Sequence, residues 1–343
     1  MTLLSRSKDW KKYYRDIGLQ EDRLAVLGDY AAKLVENNVP VIFSFEHLAK
    51  LLGRTNEHLG SLIFGTESHY RQFEIKKRRG GTRPIEAPYR SLLECQRWIA
   101  RHILAQSLPS DCVHSYRTKR NIRTNAVAHS SGRPILKMDV KDFFPSISFE
   151  LVWRYFSELG YATEVAFFLA RLCTVRGALP QGGATSPALS NILFKKLDLR
   201  LAGLATRCRL IYTRYADDLT FSGESIGLGF ISSVEKICLS EGLVINSEKT
   251  RLMNGHGRRV VTGLVVGENS ISLKRGYKRE IRQAVYFILK HGPATYLRKN
   301  RKSPLHLRQI LGKLAYWRSI EVDNKFVREA LPKLSKILNE LSL

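Results

Sequence analysis

From Leu19 to Asn38, apolar positions return at helical spacing, at Leu24, Leu27, Tyr30, Ala31 and Leu34, before Asn37, Asn38 and Pro40 stop the run. Ser44 and Asn56 are placed to cap two short helices, the first ending at Gly53. The pattern then switches to alternation. Tyr70 to Arg79 and Thr82 to Pro88 read as strands joined at Gly80-Gly81, with Lys76, Lys77, Arg78, Arg79 and Arg83 around the tip. A helix is predicted over about 89–108. The polar stretch 111–133 contains Asn125-Ala126-Val127-Ala128-His129, where helical spacing sets Asn125 and His129 one turn apart. Pro134 to Met138 leads, as a buried strand, into Asp139, with Phe144 on the side of Asp142 while the strand lasts. Helices over about 148–159 and 161–173 precede the stiff loop Leu179 to Pro187. Ser186 is placed as N-cap and Pro187 as first residue of a helix reaching about Ala205. Leu210 to Phe221 reads strand, tight turn, strand, with Asp217 and Asp218 at the tip. A helix near 227–240 and a strand over Arg259 to Val266 follow. Beyond Ile271 the spacing is helical throughout, over about 277–290, 293–300, 304–319 and 323–341.

Composition sharpens this α+β pattern. The 343 residues are 44% hydrophobic, enough for a real core, but 56 Lys+Arg against 31 Asp+Glu leave a net charge of +25. Such an excess points to a polyanionic partner, because neutralised phosphates release counterions. An anionic membrane surface is the rival. No apolar run approaches the roughly 18 residues of a membrane helix and no signal-peptide pattern is present, so a soluble, cytoplasmic protein without membrane contact is expected. From Ile271 onward there are 17 Lys+Arg and 5 Asp+Glu, 17 − 5 = +12, interleaved with Tyr277, Tyr286, Phe287, Tyr296, Tyr316 and Trp317. That combination suits a helical clamp on nucleic acid better than a merely solvated bundle. The five cysteines have neither zinc spacing nor an even count, so buried thiols are expected.

Adjacent acids at a turn repel each other unless a cation joins them. On its own, Asp217-Asp218 reads as a solvated acidic turn. Asp139, at another strand end, changes that: three carboxylates in one sheet can hold two divalent ions, one at the attacking hydroxyl and one at the leaving phosphate. His129, a single histidine with no companion, reads as a satisfied polar residue rather than a ligand. The basic hairpin is either a charged edge strand or a cationic lid over phosphates. The loop from Leu179 can present backbone N–H groups to a phosphate or base. Together these features indicate template-directed phosphoryl transfer.

In these residues the chain resembles a reverse transcriptase, most of all the bacterial retron enzymes. The resemblance rests on Arg83-Pro84-Ile85, Asp139-Val140-Lys141-Asp142-Phe143-Phe144-Pro145-Ser146, Leu179-Pro180-Gln181-Gly182 with Ser186-Pro187, Tyr215-Ala216-Asp217-Asp218, Gly242-Leu243 with Lys249-Thr250, and Val261-Thr262-Gly263-Leu264, in the family's order. Asn125 to His129 matches an Asn-Ala-x-x-His element, and Val261-Thr262-Gly263 a Val-Thr-Gly element, both of retron type. The resemblance implies a right-hand polymerase fold, with an N-terminal helical region over 1–69, fingers and palm over 70–270 and a helical thumb over 271–343. It implies that Asp139, Asp217, Asp218 and the Val140 carbonyl bind two Mg²⁺ ions. Lys77 or Arg79, with Arg83, would meet the incoming deoxynucleoside triphosphate. Phe144 would screen the 2′ carbon of its sugar, Asp142 and Phe143 would line that pocket, and Gln181 and Gly182 would support the nascent base pair. Lys249 would lie near the active site, and Val261 to Leu264 would resemble a primer grip. Asn125, His129, Val261, Thr262 and Gly263 are then expected at the RNA.

The family further implies a cognate structured non-coding RNA, priming from the 2′-hydroxyl of an internal guanosine, and a branched product carrying single-stranded DNA (msDNA). An anti-phage role, a separate effector protein and RNA removal by a host RNase H are also expected, since no RNase H-like acidic set or effector domain is placed in the chain. The end at Leu343 argues against a maturase extension. A reverse transcriptase of another bacterial lineage, abortive-infection or CRISPR-associated, and a non-catalytic RNA-binding scaffold are the alternatives.

Overall fold

The apolar run before Asp139 forms a strand that is paired along both edges. The computed structural model describes Arg15, Gly18 and residues 20–77, 80–131, 134–254 and 257–341. In chain order the elements are α1 (Glu21–Glu36), α2 (Phe45–Leu52), α3 (Asn56–Phe64), β1 (Tyr70–Lys76), β2 (Thr82–Pro88), α4 (Arg90–His102), α5 (Ile122–Ala128), β3 (Ile135–Asp139), α6 (Phe149–Glu158), α7 (Thr163–Cys173), α8 (Ser186–Leu193), α9 (Lys195–Arg207), β4 (Ile211–Tyr215), β5 (Asp218–Ser222) and α10 (Leu228–Ser240). β6 (Arg251–Met253), β7 (Arg259–Val261), β8 (Leu264–Gly267), β9 (Ser270–Ser272), α11 (Arg275–His291), α12 (Pro293–Lys299), α13 (Leu305–Ile320) and α14 (Lys325–Glu340) complete the chain. Among the described residues every strand pairing is antiparallel, so the class is α+β.

The residues pack as two units. One takes the chain up to Tyr116 with Val140–Leu201 and Ser233–Asn246; the other takes Arg117–Asp139, Ala202–Ser232 and the chain from Ser247. In the first unit, Ser44 Oγ accepts the His47 N–H at 3.2 Å and Gly53 ends α2 in the left-handed region at φ 63°, as its composition predicts. α3 differs in detail. Thr55, not Asn56, is its cap, accepting the His58 N–H at 3.2 Å, so Asn56 is the first helical residue. The hairpin β1–β2 pairs Tyr70 with Pro88 through to Lys76 with Thr82. Arg78 and Arg79 lie outside the described residues.

The second unit holds two sheets, of order β4-β5-β3-β6 and β7-β8-β9. Arg259 to Val266, expected as one strand, is instead a hairpin. Thr262 and Gly263 both take positive φ, 44° and 86°, the left-handed pair that a two-residue turn between twisted strands requires. A core of Ala126, Ile135, Val261, Leu264, Ile281, Val285, Leu314 and Trp317 joins α5, the second sheet and the C-terminal helices. Cys95, Cys173 and Cys238 are buried as expected, whereas Cys208 is exposed. Among the described residues no helix is long and apolar enough to cross a membrane.

Candidate active site

Asp139 and Asp218 are direct partners across β3 and β5, and Tyr215 faces Asp218 across β4 and β5. Asp217 sits in the two-residue turn between β4 and β5, after Ala216 at φ 55°. A left-handed alanine costs about 1–2 kcal/mol, a strain of the kind that collects at working turns. Alternation puts Asp139, Asp218 and Tyr215 on one face of the sheet, with Lys137, Thr220 and Thr213 one step further along it. The opposite face is mostly apolar, with the fully buried Arg214 as the exception opposite Leu219: Leu136, Met138, Leu219 and Phe221 are fully buried, and Phe221 stacks on Tyr212 at 4.8 Å. Burial of that face fixes the register and hence the meeting of the acids.

Burial pushes the Asp217 carboxyl up to about 6, and the carboxylates of Asp218 and Asp139 push in the same direction. Lys249, just ahead of β6, donates to Asp139 Oδ1 at 2.6 Å, and Lys137 lies 3.3 Å from Asp218. Neither lysine contact was expected in that form; only a general nearness of Lys249 was. Among the described residues no three His, Cys, Asp or Glu side chains stand together in ligating geometry. The donor chemistry nevertheless fits a hard divalent cation: three carboxylates, oxygen donors only, one of them raised by burial first and by its acidic neighbours second.

His129 and Asn125 take a different place from the one expected. Both are fully buried, so their side chains are not at an RNA-facing surface. His129 follows α5 and bridges the two strands that carry the acidic turn: Nε2 is 2.7 Å from Thr213 Oγ1 and Nδ1 is 2.7 Å from Ser222 Oγ. Thr213 and Ser222 lie on the face that carries Asp218, so α5 covers that face away from the turn. Asn125 Oδ1 and Nδ2 find no partner among the described residues. Val261 is buried in the core, Thr262 donates through Oγ1 to the Ile122 carbonyl at 3.1 Å, and Gly263 is exposed at its turn.

The strand β3 ends at Asp139, before Asp142, whose φ is 46°, so strand alternation does not set Phe144. Phe143 is buried against Phe194 at 5.4 Å, and supports Phe144, whose ring also lies 6.4 Å from Tyr116. Phe143 is thus largely covered, and Tyr116, with its backbone at φ 53°, is a neighbour the sequence did not single out. Val140 is buried and bridges Ile245. Lys77 and Arg83 are exposed on the hairpin, while Arg79 lies outside the described residues.

Gln181 accepts the Glu86 N–H at 3.0 Å, which ties the loop to β2. At Gly182, φ 140°, a Cβ would come within 2.6 Å of the Glu86 carbonyl oxygen, so only glycine allows this approach. Gln96, fully buried, holds the same loop by accepting the Ala184 N–H at 2.8 Å while donating to Tyr70 and to the Leu172 carbonyl. Ser186 is not the cap of α8. Its Oγ donates to the Pro180 carbonyl at 2.9 Å and closes the loop on itself, and the helix stops at Leu193 before α9 begins.

A model of the reverse transcriptase (RNA-dependent DNA polymerase) family matches residues 75–297. This chain belongs to the reverse transcriptase family. Within it, the chain is similar to the bacterial retron enzymes. It is 35% identical over 257 residues to the retron Ec86 reverse transcriptase of Escherichia coli, a match covering 73% of this chain and 79% of that one. It is 36% identical over 243 residues to the retron Mx65 reverse transcriptase of Myxococcus xanthus, covering 64% and 56%, and 33% identical over 308 residues to the retron Mx162 enzyme, covering 78% and 64%. The match thus spans less than two thirds of both Myxococcus relatives. As a retron-type reverse transcriptase the chain is placed among RNA-directed DNA polymerases, and a divalent metal is the general cofactor of that family.

Proposed function

We propose that this reverse transcriptase copies one cognate structured RNA into single-stranded DNA, starting from a 2′-hydroxyl of that RNA and yielding a branched RNA–DNA molecule. The observation that carries the catalytic part is the register of Asp139 against Asp218 with Asp217 in the adjoining turn. These three carboxylates, with the Val140 carbonyl, would hold two Mg²⁺ ions. Cations held there supply charge neutralisation at the attacking hydroxyl and at the leaving pyrophosphate. The hydroxyl oxygen bonds to the α-phosphorus of the deoxynucleoside triphosphate, its proton passing to solvent, and the bond to pyrophosphate breaks. Arg83 with Lys77 or Arg79 would bind the triphosphate, Phe144 would stand against the 2′ position of its sugar, and Gln181 and Gly182 would carry the new base pair. In this reading 70–270 form fingers and palm, 271–343 the thumb, and 1–69 an N-terminal helical region.

The relatives are retron enzymes by name, and the +12 charge beyond Ile271 suits an RNA partner, with 17 basic and 5 acidic residues. An anti-phage role with a separate effector extends the same reading. The deciding experiment is to purify the protein from its host and sequence the RNA and DNA that accompany it, before and after treatment with a 2′–5′ debranching enzyme. A single abundant RNA joined to its own DNA copy through a debranchable linkage is expected. Primer extension on an RNA template without any such species would leave a reverse transcriptase but remove the retron role.

A further inference from the structure

The helices α11, α12 and α13 line a cavity of about 550 Å³, and none of the three carboxylates is among its lining residues. Its size falls within the roughly 300–1,000 Å³ of ordinary small-ligand sites. Ile281, Ala284 and Ile310 form an apolar floor. Above them stand two pairs of near-parallel rings, Phe287 with His291 at 5.7 Å and 26°, and Tyr296 with His306 at 6.0 Å and 12°. Lys299 Nζ lies 5.7 Å from the Phe287 ring centre, at the rim. Asn300 and Gln283 bring amides to the wall, and the Asn300 Nδ2 bond to the Tyr296 carbonyl at 2.8 Å sets the orientation of one of them.

This set has a definite chemical meaning. Flat aromatic walls receive a flat ligand, side-chain amides read a hydrogen-bonding edge, and an ammonium at the rim receives an anion. Protein recognition of RNA works chiefly on unstacked bases, splayed from loops and bulges and stacked on aromatic rings. The cavity lies in the segment that holds about half of the chain's excess charge, 12 of 25. We propose that it is a nucleotide-capture site, in which one unpaired base of the bound RNA enters beside Tyr296 and Phe287, its edge meeting Asn300 and Gln283 and its phosphate meeting Lys299. The inference rests on the RNA-binding reading above, and adds that the RNA is held by an extruded base as well as by its backbone.

The test uses the full chain and short RNA hairpins of one stem sequence. Four carry a single bulged A, G, C or U, one is fully paired, and one carries an abasic bulge. Binding by fluorescence anisotropy should favour at least one bulged hairpin over the paired and abasic ones by about tenfold or more, the scale of one stacked base. A 2-aminopurine at the bulge should be quenched on binding. Asn300→Ala and Lys299→Ala, both at exposed positions, should remove most of that preference, as should Tyr296→Leu if circular dichroism shows it folded. Equal affinity for all hairpins, or a preference and quenching untouched by Asn300→Ala and Lys299→Ala together, overturns the site. Primer extension by the unaltered protein on poly(rA)·oligo(dT) is measured alongside. Extension without hairpin discrimination defeats the capture site alone, whereas absent extension counts against the polymerase reading while the hairpin comparison still stands.

Discussion

Lys249 Nζ stands 2.6 Å from Asp139 Oδ1, so a lysine from the segment before β6 closes on the carboxylate that ends β3. The lysine is 58% exposed, which limits such a pair to less than about 1 kcal/mol. A cation entering the carboxylate group must displace or share that contact. Lys249→Met should therefore tighten Mn²⁺ binding a few-fold in calorimetric titrations without nucleotide, whatever it does to turnover. Weaker binding in the variant would count against the competition.

Asp217 gives a pH dependence with a definite sign. Its carboxyl is raised to about 6 from an ordinary 3.8, by burial first and by its acidic neighbours second. The folded chain without metal thus holds a proton that the unfolded chain has already released between those two pH values. Stability from this group is complete at the acid end and is lost as pH rises toward 6. Asp217→Asn removes the penalty. In EDTA at pH 7.5 it should stabilise the protein by about 1–3 kcal/mol in urea unfolding, with little effect near pH 4. The same substitution should abolish DNA synthesis.

His129 should show the asymmetry of buried polar groups. His129→Leu leaves the Thr213 and Ser222 hydroxyls without the imidazole they now share, and should cost about 2–4 kcal/mol in unfolding. Adding Thr213→Val and Ser222→Ala should recover a substantial part, because the hydroxyls that lost their partner are gone. If the bridge positions the acidic turn, the single variant loses kcat while KM for deoxynucleotides holds. A change confined to KM would refute that role.

Gly182 is the most exacting position of the loop. Gly182→Ala forces its Cβ against the Glu86 carbonyl oxygen at 2.6 Å and also strains φ. We expect about 1–3 kcal/mol of destabilisation and, because Glu86 belongs to the hairpin carrying Arg83, at least a tenfold rise in KM for deoxynucleotides. Steady-state kinetics on an RNA template measures it.

Much of this was readable from local pattern. The helices beyond Ile271, the β1–β2 hairpin and the β4–β5 turn follow from period and turn chemistry within a few neighbouring residues. That Asp139 ends a strand was equally local. What was not legible depended on distant partners. Ser186 looks like a cap until Pro180 supplies a carbonyl for its hydroxyl. Arg259 to Val266 looks like one strand because Thr262 is β-branched, and only its positive φ reveals the turn. His129 reads as a satisfied polar residue and is one, but nothing near it in sequence hints that its partners are hydroxyls 84 and 93 positions away. The cavity was invisible for the same reason: its rings come from three helices, each of which reads as an ordinary basic amphipathic segment.

The bond from Thr262 Oγ1 to the Ile122 carbonyl, with Ala126 packed in one core with Val261 and Leu264, joins two stretches that stand apart in the sequence as separate motifs. They are two sides of a single joint. In evolution a change on one side is felt on the other, so the pair should be inherited and exchanged as a single cassette. A chimera that swaps 121–131 between retron enzymes without 259–267 would inherit half a joint, and grafting both together is the design that should fold.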